Sequence, residues 1–147
     1  MTEWLLDTNI LAELRRPRPE PKVVRFIAAQ PLDCLFVSTV TFAEIRFGIE
    51  RLADHTLRAD LHDWLRHRIR PMFDGRVVAI SEDVMLKWRL MVEAGRRVRY
   101  TFPQPDLIIA ATASVHGMTV VTRDSGDFVR ARVPVFNPWI DDEPGIA

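Results

Sequence analysis

Four acidic residues occupy the junctions at which predicted strands pass into predicted helices. Asp7 directly follows the apolar run WLL, and Asp124 comes just after the apolar run MTVVT. Glu44 lies in the first turns of the helix predicted after the second strand, and Asp106 lies in the first turn of a helix that begins near Pro105. Ligands of open α/β sheets bind beyond the carboxyl ends of the strands, so we expect these four carboxylates on one rim.

The chemistry expected of such a rim is metal-assisted hydrolysis. Clustered carboxylates repel one another and take up protons unless a positive charge lies among them. A hard cation such as Mg²⁺ or Mn²⁺ binds carboxylate oxygens, keeps several waters and can neutralise charge that builds up on a phosphate. We therefore predict phosphodiester hydrolysis, with Asp7 and Asp106 as direct metal ligands and Glu44 and Asp124 completing the site.

Each of these acids also has a structural interpretation. Acidic side chains cap helix N-termini and interact favourably with the helix dipole in the first turn. A single acid at such a position is typical of a cap. Four of them, one at each strand-to-helix junction, favour the functional interpretation.

The elements that must position these acids alternate along the chain. Continuous apolar runs predict five strands, at 4–6, 34–39, 76–80, 118–122 and 133–136. Helical spacing predicts six helices, at 10–14, 22–30, 40–52, 56–72, 81–95 and 105–116. Ser81 is expected to cap the fifth helix and Gly95 to end it, and Gly117 is expected to end the sixth. A loop or single turn is predicted at 123–128. This alternation predicts an α/β fold with a mostly parallel sheet covered on both faces.

Composition predicts one ordinary domain. A chain of 147 residues, 48% hydrophobic and 27% charged, supports a single core, which we place at 1–140 with a C-terminal tail at 141–147. The net charge is zero, so local patches must supply any attraction to nucleic acid. The single cysteine, Cys34, excludes an internal disulfide and favours a reducing compartment. No apolar run resembles a leader peptide or reaches membrane-spanning length, so we expect a cytoplasmic protein.

The ordered set of motifs resembles the PIN-domain toxins of bacterial toxin–antitoxin pairs, in the VapC group and its FitB-like branch. The motifs are LLDTNILAEL, TFAEIRFGIERL, PDLIIAATASVHGMTVVTRDSGDF and VPVFNPW, and they span essentially the whole chain. The resemblance implies a PIN-like three-layer α/β/α sandwich with a central parallel β-sheet and a metal-dependent endoribonuclease. It places the acidic quartet of the family on Asp7, Glu44, Asp106 and Asp124. Some relatives carry the fourth acid at the position of Asp127; we favour Asp124, with Asp127 capping the turn before Phe128.

The same resemblance assigns two supporting polar residues. Asn9 and Thr122 match polar positions that line the family's site, where they could orient a carboxylate or a metal-bound water. A helix cap and a strand-end hydroxyl are the structural alternatives.

Several cationic and aromatic residues near the acids are candidates for contact with RNA. Arg46 and Arg123 lie one or two positions from proposed site acids, and Arg97 belongs to a basic run just ahead of Asp106. Solvated positions are the alternative for all three arginines. Tyr100 and Phe102 could stack on bases, although core packing is the more common role.

Partners follow from the resemblance alone. It implies a homodimer held inactive by a cognate antitoxin with a DNA-binding region, so that operator DNA is bound only through the antitoxin, with no membrane involved. A catalytically silent PIN-fold binding module is the alternative function. A signalling receiver domain is excluded because Ser81 follows the third predicted strand, where that class needs a phosphoacceptor aspartate.

Overall fold

Five parallel strands form the centre of the fold. The structure is a computed structural model that describes residues 1–142. The sheet order is β3-β2-β1-β4-β5, and every pair of neighbouring strands is parallel. The strands are β1 (Trp4–Leu6), β2 (Leu35–Ser38), β3 (Val77–Val78), β4 (Thr119–Val121) and β5 (Val135–Phe136).

Helices connect the strands and cover both faces of the sheet. They are α1 (Thr8–Arg15), α2 (Pro21–Ala29), α3 (Thr39–Glu50), α4 (His55–Trp64), α5 (Arg70–Met72), α6 (Glu82–Arg97), α7 (Gln104–His116) and α8 (Ser125–Arg130). A 3₁₀ turn, Leu32–Cys34, precedes β2, and a π-helical segment, Leu65–Ile69, joins α4 to α5.

The alternation of side chains along the strands divides the core into two halves. Trp4 and Leu6 on β1 point into a cluster built with α1 to α5, whereas Leu5, between them, points into a second cluster built mainly with α6, α7 and α8. Val121 and Val120 on β4 divide in the same way. Every residue of β1 is buried, which explains why the sequence of this strand is a continuous apolar run. The predicted α/β/α sandwich around a parallel sheet is confirmed.

Local capping signals are confirmed at two helices. The Ser81 hydroxyl accepts a hydrogen bond from the Val84 amide at 3.2 Å and so caps α6. Gly117 ends α7 in the left-handed conformation, with φ of 66°, which an L-residue with a side chain adopts only at a cost. Cys34 is buried at the end of the 3₁₀ turn that precedes β2.

Three predicted elements differ in the structure. Gly95 does not close α6, which continues to Arg97, because this glycine serves a close contact rather than a turn. The helix predicted over 56–72 changes to π-helical geometry at Leu65–Ile69, just ahead of Pro71, which has no amide to donate. The segment 123–128, predicted as a loop or single turn, includes the first four residues of α8, a six-residue helix that continues to Arg130.

The C-terminal tail predicted at 141–147 is only partly within the described chain. Asp141 is bonded to the fold, since its Oδ2 accepts a hydrogen bond from the Asn137 amide at 2.8 Å. Residues 143–147 lie outside the described part. Across residues 1–142, no helix is both long and apolar enough to cross a membrane.

Candidate active site

The four predicted acids lie at the carboxyl edge of the parallel sheet. Asp7 follows β1 and caps α1, and Asp124 follows β4 and precedes α8. Glu44 lies on α3, the helix after β2, and Asp106 lies in the first turn of α7. Because β2, β1 and β4 are adjacent and parallel, their ends bring these acids close enough for the charges of the other three to act on Asp106.

Thr122 is the hub of the hydrogen bonds in the site. Its hydroxyl donates to Asp7 Oδ2 at 2.8 Å and accepts from Asn9 Nδ2 at 3.1 Å and from the Asp124 amide at 3.0 Å. One donor and two acceptor positions are thereby filled. The other Asp7 oxygen, Oδ1, accepts from the Thr8 amide at 2.7 Å, so the Asp7 carboxylate is fixed from both sides.

Asn9 links the loop after β4 to α1. Its Nδ2 also lies 3.4 Å from Asp124 Oδ2, and its Oδ1 accepts from the Arg123 amide at 3.3 Å. The helix-cap alternative for Asn9 is wrong, because Asp7 caps α1. The structure therefore places Asn9 and Thr122 against the carboxylates that they were expected to orient.

Sequence reasoning missed Asn137, which fixes the same loop from the other side. Its Nδ2 donates to the Arg123 carbonyl at 3.1 Å, and its Oδ1 accepts from the Trp139 amide at 2.9 Å. The Arg123 guanidinium in turn lies 5.2 Å from the centroid of the Trp139 ring. Asn137 directly follows β5, so the strand-end rule that identifies Asp7 could also have identified it.

Asp127 lies in the first turn of α8, near Asp106. Its charge raises the pKa of Asp106, and its Oδ1 accepts a short hydrogen bond from the Tyr100 hydroxyl. No backbone amide of the described chain donates to its side chain, so the predicted capping role before Phe128 is wrong. Tyr100 also packs against Phe102, with ring centroids 4.7 Å apart.

Burial and mutual repulsion raise the pKa values of two site acids. Desolvation is the main cause of the raised pKa of Asp7, which is only 5% exposed; the bonds from Thr122 and Thr8 oppose it, and the charges of Asp124 and Glu44 add to it. Asp106 has a pKa raised from 3.8 to about 6, first by desolvation and then by the charge of Asp7. A cation among these groups would relieve both effects.

The donor chemistry of the site fits a hard divalent cation. Every candidate ligand is a carboxylate, the donor that Mg²⁺ and Mn²⁺ prefer. Within the described residues, no three His, Cys, Asp or Glu side chains are already gathered into a ready-made ligand set. The carboxylates therefore share an edge of the sheet and a common electrostatic field without forming a closed cage.

The three candidate arginines are all exposed. Arg46 lies on α3 two residues after Glu44, and Arg97 is the last residue of α6. Among residues 1–142, none of Arg46, Arg97 and Arg123 forms an ion pair with a carboxylate, although Arg123 neighbours Asp124 in sequence.

Comparison with known families identifies the fold. The model of the PIN domain matches residues 4–133, which include all four acids. The chain belongs to the PIN domain family. Toxin FitB of Neisseria gonorrhoeae is similar to this PIN domain, with 37% identity over 93% of this chain and 99% of FitB. VapC ribonuclease Y4jK of Sinorhizobium fredii is 32% identical over 92% of this chain and 96% of its own.

A solved structure of FitAB bound to the IR36 DNA fragment is also similar. It superimposes on this PIN domain with a TM-score of 0.88 and 36% identity, covering 95% of this chain and 98% of the matched one. The predicted membership of the PIN family, with similarity to VapC and FitB toxins, is confirmed.

Proposed function

We propose that this PIN domain is the toxin of a type II toxin–antitoxin pair and acts as a metal-dependent endoribonuclease. The observation that carries the proposal is the acidic edge of the sheet, where the charges of Asp7, Glu44 and Asp124 act on Asp106. The names of relatives similar over nearly the whole chain, a VapC ribonuclease and toxin FitB, support the choice of RNA as substrate.

Asp7 and Asp106 would hold Mg²⁺ or Mn²⁺, with Glu44 and Asp124 completing the site. When bound, such an ion acidifies and orients a water and neutralises charge that develops on the phosphate. Thr122 keeps the Asp7 carboxylate in one orientation, and the Thr8 amide holds its second oxygen. Because these donors are in place before any ligand arrives, little reorganisation is required of Asp7.

The chain also supplies contacts for the RNA backbone. The Arg123 backbone is held by Asn9 and Asn137, and its guanidinium lies over Trp139. The guanidinium N–H groups of Arg123 thus lie next to the acidic site and form no ion pair with a carboxylate of the described residues. Arg46 and Arg97 are further phosphate contacts in this proposal, since both are exposed and unpaired within the described chain.

The proposed partners are a cognate antitoxin that carries a DNA-binding region, and operator DNA bound through that antitoxin. The similarity to FitAB bound to DNA supports this assembly. A homodimer is supported by large apolar side chains that α6 leaves in solvent, Leu86 at 59% and Leu90 at 57% exposure. The proposed location is the cytoplasm.

RNA cleavage tests the enzymatic part of the proposal. Antitoxin-free protein is incubated with total cellular RNA, with and without Mn²⁺ or Mg²⁺, and new RNA ends are sequenced. Asp7→Asn removes the charge while keeping the shape, and Asp60→Asn, an exposed carboxylate on α4, is the matched control. We expect discrete, metal-dependent cuts by the wild type and the control, and none by Asp7→Asn.

The same assay distinguishes the alternative function. Folded protein that binds the cation but leaves every RNA intact would indicate a catalytically silent binding module. Cuts that persist in Asp7→Asn, or that need no divalent cation, would contradict the proposed site.

A further inference from the structure

The segment between α6 and α7 is a fixed turn that presents Tyr100 to the acidic site. The Tyr100 amide donates to the Gly95 carbonyl at 2.9 Å, and Arg99 between them adopts a left-handed φ of 57°. A Cβ on Gly95 would lie 2.7 Å from the Tyr100 carbonyl oxygen and 3.1 Å from the Phe102 ring. The glycine is therefore needed for close approach of the turn to α6.

The Tyr100 ring is held on two sides, which leaves its hydroxyl little freedom. Phe102 packs edge-on against it, with ring centroids 4.7 Å apart. The Arg130 guanidinium lies 4.4 Å from the ring centroid, within the range of a cation–π contact. With the ring fixed, the hydroxyl donates to Asp127 Oδ1.

Asp127 is thereby held at the edge of the acidic site. It lies in the first turn of α8, three residues after the N-cap Asp124, so both carboxylates are at the same end of this helix. Its charge is among those that raise the pKa of Asp106. The phenol occupies Oδ1, whereas no donor within residues 1–142 bonds to Oδ2. A carboxylate with one oxygen fixed and the other open is suited to bind a cation or a water held by that cation.

We propose that Tyr100 is a positioning residue that holds Asp127 as a fifth carboxylate of the acidic site. Tyr100 acts through Asp127 and makes no contact with the cation or the RNA. The inference rests on the cation site of the proposed function, but it does not depend on RNA being the substrate. A purely structural role, in which the hydrogen bond only ties the turn to α8, predicts a different result in the experiment below.

The experiment measures Mn²⁺ binding by calorimetry on RNA-free protein and compares Tyr100→Phe, Asp127→Asn and the double variant with the wild type. Tyr100→Phe removes one oxygen and leaves the ring contacts. Trp88→Phe is the control, since it removes the 2.9 Å hydrogen bond from Trp88 Nε1 to Gln104, a bond between α6 and α7 that involves no acid. Circular dichroism checks that every variant is folded.

We expect Tyr100→Phe to weaken Mn²⁺ binding about tenfold, the effect typical of a residue that orients a metal ligand. Asp127→Asn should weaken it at least as much, and the double variant no more than Asp127→Asn alone, because the two residues act as one unit. Trp88→Phe should bind Mn²⁺ like the wild type.

Three results would overturn the proposal. One is Mn²⁺ affinity in folded Tyr100→Phe within twofold of the wild type. Another is a Tyr100→Phe effect that persists in the Asp127→Asn background, which would show that the tyrosine does not act through Asp127. The third is wild-type protein that binds no Mn²⁺. Wild-type protein that binds Mn²⁺ in this Tyr100-dependent way but cuts no RNA would support the positioning role while the nuclease proposal fails.

Discussion

Replacing a proposed metal ligand is expected to stabilise the cation-free protein. Asp106 is desolvated and faces the charges of Asp7, Asp127, Asp124 and Glu44, which together raise its pKa from 3.8 to about 6. Asp106→Asn removes the repelled charge and keeps the shape of the side chain. The variant should therefore unfold at higher temperature than the wild type near neutral pH when no divalent cation is present.

The direction of the pH dependence follows from proton binding. Between pH 3.8 and about 6 the folded protein keeps a proton on Asp106 that the unfolded chain has released. The free energy of unfolding therefore falls as pH rises through this window and stays lower above it. The pKa of Asp106 in the folded protein exceeds that in the unfolded chain by roughly two pH units, which corresponds to about 3 kcal/mol in the free energy of unfolding. Solvent screening of this half-buried group reduces the expected effect to about 1–2 kcal/mol, or about 3–6 °C in melting temperature.

The assay is thermal unfolding followed by circular dichroism from pH 4 to 8 in a chelating buffer. The melting temperatures of wild type and Asp106→Asn should converge near pH 4 and diverge above pH 6, with the variant higher. Asp60→Asn, on the exposed surface of α4, should follow the wild type. Saturating Mn²⁺ should reverse the order, because a ligand at a hundred times its Kd stabilises the wild type by about 2.7 kcal/mol. Melting temperatures of the wild type and Asp106→Asn that differ by the same amount at every pH would refute the reasoning. So would an Asp106→Asn variant that is less stable than the wild type at pH 7.5 without cation.

Three further substitutions test how the site is supported, each by chemical denaturation. Thr122→Val removes the donor to Asp7 and leaves buried groups unpaired, so the free energy of unfolding should fall by about 1–3 kcal/mol; an unchanged midpoint would contradict the hub role. Gly95→Ala places a methyl group against the following turn and should cost about 1–3 kcal/mol, whereas a stable variant would show that the turn can move. Arg132→Gly should raise stability by about 0.5–1 kcal/mol, because Arg132 has a left-handed φ of 61°; a loss of stability would show that its side chain matters more than its backbone.

The fold was predictable where local signals and burial agree. β1 and β4 are continuous apolar runs because helices cover both faces of the sheet. Ser81 and Gly117 mark helix ends through local backbone interactions, a side-chain hydrogen bond to an amide of α6 for Ser81 and a left-handed conformation for Gly117. Gly95 misled the prediction, since a glycine near a helix end usually supplies a left-handed residue. Here the left-handed residue is Arg99, and Gly95 is explained only by a turn that folds back onto α6.

The candidate site was predictable to the extent that topology determines it. Acids at the ends of parallel strands must share an edge, so Asp7 and Asp124 could be placed without coordinates. The bond from Tyr100 to Asp127 joins residues 27 apart through a turn and the first turn of a helix. No periodicity in the sequence encodes such a contact. The sequence alone therefore predicts a cap or an alternative fourth acid at Asp127, and core packing or base stacking for Tyr100.

The central claim, that the acidic edge binds a divalent cation which the protein needs to cut RNA, is tested most directly by titrating Mn²⁺ in two assays on one preparation. One assay measures Mn²⁺ binding, and the other measures cleavage of an RNA mapped by end sequencing. The account predicts that the two midpoints coincide and that both signals disappear in Asp106→Asn and persist in Asp60→Asn. Cleavage by cation-free protein, or full cleavage by Asp106→Asn, would contradict it.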